Sequence, residues 1–217
     1  MKRCSRTLVN HPCCIETISK NVRCAEGTSV FACGAYELKN EGSSESRIGS
    51  ISLYSIQEEN LDSQKNLNTT SIKLLSGVNC GSSGGVLDMK AINFQLIAAM
   101  SSSAIDIYGW CESEDDISLQ KLDSASKSGE GLFLSVDSFA EIDEEGSGST
   151  GESVLATSTQ NGSILIYQCS SSGVTELQHI PAAHVFLEEA MPVWVVAMNG
   201  RSRNQIVSGG DDCKLKV

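Results

Sequence analysis

The chain has 217 residues, a formal charge of −11, 40% apolar residues and 5% aromatic ones. That acidic balance argues against nucleic acid as a partner, since phosphate binding needs clustered Lys and Arg, and against docking on an anionic membrane surface. No stretch approaches the roughly 20 apolar residues of a membrane helix, and the N-terminus has no apolar run of signal-peptide length. The nine cysteines have no C-x-x-C spacing, which removes zinc and thioredoxin-like readings. They are expected to be reduced thiols of a cytoplasmic protein, most of them small apolar core residues. No cofactor and no metal are expected.

Helix signals are scarce, and alternation of apolar with polar residues dominates, so the class expected is all-β. Residues 1–21 are polar and aperiodic and read as a loosely ordered lead-in. Residues 29–38 read as a strand bent at Gly34, followed by a polar insert (39–46), a strand (48–56) and a hydrophilic exit loop (57–68). A Gly/Ser linker at 76–85 precedes Val86-Leu87-Asp88-Met89-Lys90-Ala91, which opens a second unit with strands at 96–100 and 105–108 around a Ser turn. The acidic run 112–116 is expected to face water. A third unit starts at Gly131, is interrupted by the acidic, Gly/Ser-rich segment 141–152, and resumes at Val154 to close at Tyr167. The fourth has its first strand at 190–198 and a hairpin at 205–217.

These units are copies of one another. Gly49-Ser50-Ile51-Ser52-Leu53-Tyr54 and Gly162-Ser163-Ile164-Leu165-Ile166-Tyr167 match closely, and Ala104-Ile105-Asp106-Ile107-Tyr108 more loosely. Tyr54, Tyr108 and Tyr167 recur at intervals of about 50–60 residues, against ~40–45 for a compact WD repeat; low-complexity inserts fill the difference. The segment Val207-Ser208-Gly209-Gly210-Asp211-Asp212 with Lys214-Leu215-Lys216-Val217 resembles the second half of a WD repeat, up to the point where Trp-Asp should follow. The expected fold is therefore a WD40-type β-propeller, with blades at residues 22–75, 84–125 and 131–180 and an incomplete one at 184–217.

Two motifs that imitate chemistry are set aside. Gly81-Ser82-Ser83-Gly84-Gly85 fits the pattern of a hydrolase nucleophile elbow, but a strand follows it rather than a helix. Gly146-Ser147-Gly148-Ser149-Thr150-Gly151 fits a dinucleotide fingerprint, but Asp143, Glu144 and Glu145 precede it and would repel phosphates. The candidate site residues are His184, Asp211 and Asp88. In WD repeats a His before the first strand can bond an Asp of the later turn, and His184 and Asp211 are spaced for that tie. The alternative is an imidazole at the propeller mouth acting as general base or water-positioning group. Asp88, Asp211 and Asp212 divide in the same way, between turn-forming and functional carboxylates. Trp194 is expected in the core.

Several segments go beyond a generic WD repeat. Ala32-Cys33-Gly34-Ala35-Tyr36-Glu37-Leu38, Arg47-Ile48-Gly49-Ser50-Ile51-Ser52-Leu53-Tyr54, Val86-Leu87-Asp88-Met89-Lys90, Ala183-His184-Val185-Phe186 with Glu189 and Trp194, and Ser208-Gly209-Gly210-Asp211-Asp212 occur in that order. They resemble segments of the WD-repeat diphthine methylesterases of diphthamide biosynthesis, with Ala91 in place of that family's Trp and extra residues between Phe186 and Trp194. The resemblance implies a propeller of seven blades when complete. It also implies hydrolysis of the methyl ester of methylated diphthine on elongation factor 2, a substrate with a quaternary ammonium beside the ester. It assigns no catalytic residue. Because the chain holds material for about three and a half blades, it is expected to be part of a longer protein. The alternative from another class is a WD-repeat scaffold that binds proteins and performs no chemistry.

Overall fold

The computed structural model describes residues 11–18, 28–41, 44–62, 67–81, 84–92, 95–112, 117–140, 153–170, 173–202 and 204–217. They form antiparallel sheets, each continuous in sequence. The first is β1 (His11–Thr17), β2 (Thr28–Glu41), β3 (Ser44–Asp62) and β4 (Leu67–Asn79). The second is β5 (Val86–Ile92), β6 (Gln95–Met100), β7 (Ala104–Glu112) and β8 (Ile117–Ser126). The third is β9 (Phe133–Ala140), β10 (Ser153–Thr159), β11 (Ile164–Ser170) and β12 (Gly173–Ile180). A small hairpin, β13 (Val185–Phe186) and β14 (Glu189–Ala190), leads into a three-stranded sheet of β15 (Val193–Met198), β16 (Ile206–Gly210) and β17 (Leu215–Lys216). The first strands of successive sheets touch one another, β1 with β5, β5 with β9 and β9 with β15, so the sheets stand as blades around a common axis. No helix of the described residues is long and apolar enough to cross a membrane.

The blades bury apolar faces against each other. Val30, Leu53, Val86, Leu96 and Met100 pack between the first and second blades. Ile97, Ile105, Phe133, Leu155 and Leu165 pack between the second and third. The third junction is thin, with Ala156, Val196 and Met198 at its centre. Tyr54, Tyr108 and Tyr167 each sit on the third strand of a blade and are 5%, 0% and 2% exposed, so the repeat inferred from them is the structural repeat. Gly34 is required by packing: a Cβ there would lie 2.6 Å from Val86 Cγ1 and 2.7 Å from Cys14 Sγ, closer than atoms tolerate.

Apolar contact alone does not fix how far one blade slides along the next. A directional contact at each junction does. Glu16 Oε1 on β1 accepts the backbone N–H of Ala91 on β5 at 3.1 Å. Asp88 Oδ2 on β5 accepts Val136 N–H on β9 at 2.9 Å and the Ser135 hydroxyl at 2.9 Å. Asp137 Oδ2 on β9 accepts Met198 N–H on β15 at 2.7 Å, and its other oxygen pairs with Lys90 at 3.2 Å. One carboxylate thus reaches forward from each of the first three innermost strands to an amide of the next.

The structure departs from the sequence expectation in several places. Residues 11–17, assigned to a lead-in, form the innermost strand of the first blade. The outer strands β4, β8 and β12 were not expected as strands, and the two ends of β4 fall in the loop and the linker assigned to 57–68 and 76–85. Their exposed faces carry mixed polar residues, and β12 has the burial pattern iieeeeii, in which no alternation survives to be read. The strand expected at 190–198 begins at Val193, and residues 185–190 form a hairpin of their own. Segments 141–152 and 113–116 lie outside the described residues. Of the seven described cysteines, Cys33, Cys80 and Cys169 are buried, whereas Cys13, Cys111 and Cys213 are exposed, so thiols are less confined to the core than expected.

Replacing Asp137 by Ala strands the Met198 amide and frees the fourth blade from the third. A loss of about 1–3 kcal/mol in urea unfolding is expected, the cost of an unsatisfied buried donor. The same truncation at Glu176, whose partner Lys127 lies at the surface at 2.8 Å, should cost under about 1 kcal/mol. Equal losses would show that the innermost carboxylate acts as an ordinary surface charge.

Candidate functional site

His184 lies in the loop that leads from β12 toward β15, immediately before the β13–β14 hairpin. Its carbonyl accepts the Met191 N–H at 2.9 Å, so the hairpin closes back on it. Opposite stands Gly210 at the end of β16, where a Cβ would come within 2.9 Å of the imidazole. Glycine is thus what lets the ring enter. His184 Nδ1 meets Asp212 Oδ1 at 2.6 Å, and Nε2 meets Ser208 Oγ at 2.9 Å. The carboxylate draws the ring proton to Nδ1, which leaves Nε2 to accept the serine hydroxyl.

Asp212 is the partner, not Asp211 as the spacing suggested. Its Oδ1 also accepts the Lys214 N–H at 3.1 Å, and Lys216 Nζ stands 3.6 Å from Oδ2. Lys216 in turn donates to the Ala183 carbonyl at 2.6 Å, joining β17 to the loop that holds His184. Burial pushes the Asp212 carboxyl up. The hydrogen bonds from His184 and the Lys214 backbone, with the charge of Lys216, outweigh that and hold it below the ordinary carboxylate value.

The order Asp212–His184–Ser208 is that of a hydrolytic triad, and it emerges only from the fold. Ser208 carries no sequence signal of its own beyond the Ser-Gly-Gly-Asp-Asp turn. Access decides what the trio can do. His184 is 0% exposed, Ser208 3% and Asp212 5%, so no ester can reach the serine oxygen in this structure. The geometry is that of a tie across the blade, linking loop, second strand and turn.

Asp211, the next residue, faces solvent, and its Oδ1 accepts the Trp194 indole N–H at 2.6 Å. Trp194 is 56% exposed, which corrects the core position expected for it. Asp88 is half-buried and spends its oxygens on Met89, Ser135 and Val136, away from Asp211 and His184 in the chain of blades. The three candidates therefore do not converge. A groove of about 390 Å³ lies between the second and third blades, lined by Gln95, Leu122, Asp123, Cys169, Ser170 and Val174, remote from all three. Burial pushes the thiols of Cys14, Cys33, Cys80 and Cys169 up, so none of these four is an activated nucleophile. Among the described residues no group of three or more His, Cys, Asp or Glu is placed to hold a metal ion.

Known structures share this arrangement of blades. Sqt1 from Chaetomium thermophilum superposes with a TM-score of 0.56 at 11% identity, covering 92% of this chain and 41% of that one. A chain of the COPII outer coat vertex on membranes superposes with a TM-score of 0.57 at 15% identity, covering 93% and 45%. The fold is a WD40-type β-propeller. In sequence, no family model matches the chain. It is similar to the Dictyostelium discoideum protein named Diphthine methyltransferase homolog, at 29% identity over 200 residues, covering 87% of this chain and 50% of the relative. The chain thus spans about half the length of that relative. This likeness is in line with the resemblance carried by the Cys-Gly-Ala-Tyr-Glu-Leu and Ser-Gly-Gly-Asp-Asp segments.

Replacing His184 by Ala removes two buried hydrogen bonds of the propeller's tie and should lower stability by about 1–3 kcal/mol in thermal or urea unfolding. Because the Asp212 carboxyl is depressed in the folded protein, its contribution is full above the ordinary carboxylate range. It is lost as pH falls through the lowered folded value. The gap in melting midpoint between the native protein and Asp212→Asn should therefore be wide at neutral pH and close on acidification. A gap that stays constant down to strong acid would contradict the depressed carboxylate.

Proposed function

We propose that this propeller serves the hydrolysis of the methyl ester of methylated diphthine on elongation factor 2, releasing methanol and diphthine in the cytoplasm. The similarity to the Diphthine methyltransferase homolog, which runs through 87% of the chain, carries this reading. That relative's name speaks of methyl transfer. Ester hydrolysis removes a methyl group from the same modified residue, and the two reactions are opposite in mass. Hydrolysis needs a water delivered to the ester carbonyl, a group to take its proton and donors for the oxyanion. Of the three candidate residues, only Asp211 is exposed where a substrate could meet it.

A second reading is a binding platform without chemistry. The burial of the Asp212–His184–Ser208 trio favours it, as does the kind of structure the chain resembles: one Chaetomium thermophilum Sqt1 structure is bound to the N-terminus of the ribosomal protein L10. The test is to incubate the natural full-length product with elongation factor 2 carrying methylated diphthine and to follow the intact mass. Hydrolysis predicts a fall from methyl ester to free acid. A rise by one methyl group in the presence of a methyl donor would mean transfer, and a stable complex with unchanged mass would mean a platform.

A further inference from the structure

The innermost strands share an irregularity. In each blade one residue is skipped in the pairing with the second strand, always near the strand's start: Cys13 between Pro12 and Cys14, Leu87 between Val86 and Asp88, Leu134 between Phe133 and Ser135, and Trp194 between Val193 and Val195. A bulge lets two successive residues leave the inward–outward alternation and re-aims a side chain, and bulges gather beside functional sites. The innermost strands run side by side in one direction, so the four bulges fall at the same end of the row of blades. Cys13 Sγ donates to the Leu87 carbonyl at 3.4 Å, joining the first two members. Cys13 and Trp194 are exposed, and Leu87 and Leu134 are half-exposed.

Trp194 is the last of the four, and its surroundings set it apart from a merely uncovered aromatic. The indole N–H is held by Asp211 at 2.6 Å, which fixes the ring and leaves more than half of the side chain open. Donation of that proton to a carboxylate pushes electron density onto the π face, and the anion itself lies at the ring edge. An oriented Trp face beside a carboxylate attracts a cation with no small, tightly held hydration shell, of which a quaternary ammonium is the chemical type. The hairpin that precedes this strand carries backbone strain, since Leu187 and Glu188 both hold left-handed φ angles, 51° and 69°, where Gly or Asn is preferred.

We propose that the Trp194 face and the Asp211 carboxylate form the seat for the quaternary ammonium of the substrate, with the bulge residues Leu87 and Leu134 lining the path of its aliphatic portion. This rests on the ester-hydrolysis reading for the identity of the substrate, but the seat is a property of this chain that is measured without turnover. Trp194 and Asp211 are then specificity-determining residues.

The probe is betaine methyl ester, a trimethylammonium one carbon from a methyl ester, titrated against the full chain labelled with ¹⁵N. Its neutral isostere, methyl 3,3-dimethylbutanoate, is the control. The indole N–H resonance of Trp194, assigned by its loss in Trp194→Phe, is expected to shift and saturate with the cation and not with the isostere. Asp211→Asn should weaken binding about fivefold by the same indole shift and Trp194→Leu about tenfold by calorimetric titration, with melting midpoints within a few degrees of native to show that both fold. Equal shifts with both ligands would reduce the site to an apolar patch and overturn the seat. No shift with either would also overturn it. If cation binding holds while elongation factor 2 keeps its ester, the hydrolysis reading fails and the seat stands. If the ester is lost while neither variant changes KM, the seat fails and the hydrolysis reading stands.

Discussion

The structure depends on how its innermost strands are joined. An innermost strand is a sheet edge: one side of its backbone pairs with the second strand and the other has no strand partner, where unpaired N–H groups would be costly. Glu16, Asp88 and Asp137 answer that constraint by reaching across to Ala91, Val136 and Met198. A carboxylate-to-amide bond is charge-assisted and directional, so it forms at one register and no other. The apolar faces between blades, rich in Ala, Val, Ile and Leu, supply most of the burial but would tolerate sliding. Part of the chain's acidity therefore belongs to the junctions between blades.

That constraint carries through to the bulged strand ends. A binding seat must be held on rigid elements if it is to discriminate, and the bulges sit at the very ends of the strands that the carboxylates align. The fourth blade relies on this most, because its apolar junction with the third has only Ala156, Val196 and Met198 buried at its centre, with Phe139, Val154 and Ile206 partly buried around them. The His184–Asp212–Ser208 tie holds the same blade from its other side, anchoring the turn that carries Asp211. A buried tie and an exposed neighbour one residue apart thus divide the work, the first supporting the second.

The sequence was legible where period and turn chemistry agree. The third strands of the first two blades were found because Ile51 and Leu53, and Ile105 and Ile107, alternate with polar residues toward a closing Tyr, and that of the third because residues 162–167 copy residues 49–54. The outer strands were not, since β12 buries little on either face and carries no alternation. β1 was missed for a related reason: its pairing with β2 is non-local, and Pro12 and two adjacent cysteines disguise its register. At the site, the Ser-Gly-Gly-Asp-Asp turn located the tie, but a one-residue ambiguity between adjacent aspartates could be settled only by which carboxylate points inward. Trp194 was placed in the core because Val193-Trp194-Val195-Val196 reads as a continuous buried run. The bulge that turns the indole outward is a property of pairing, which no single strand's sequence displays.

The claim that carboxylates set the blade register is tested most directly by hydrogen exchange at the three amides they cap. In the native protein Ala91, Val136 and Met198 should be protected to a similar degree as their strands' ladder amides. In Glu16→Ala, Asp88→Ala and Asp137→Ala, taken one at a time, protection should fall at the paired amide and spread along the following innermost strand, leaving the preceding blade unchanged. Loss confined to the single amide, or no loss at all, would mean that apolar packing alone holds the register and would contradict the account.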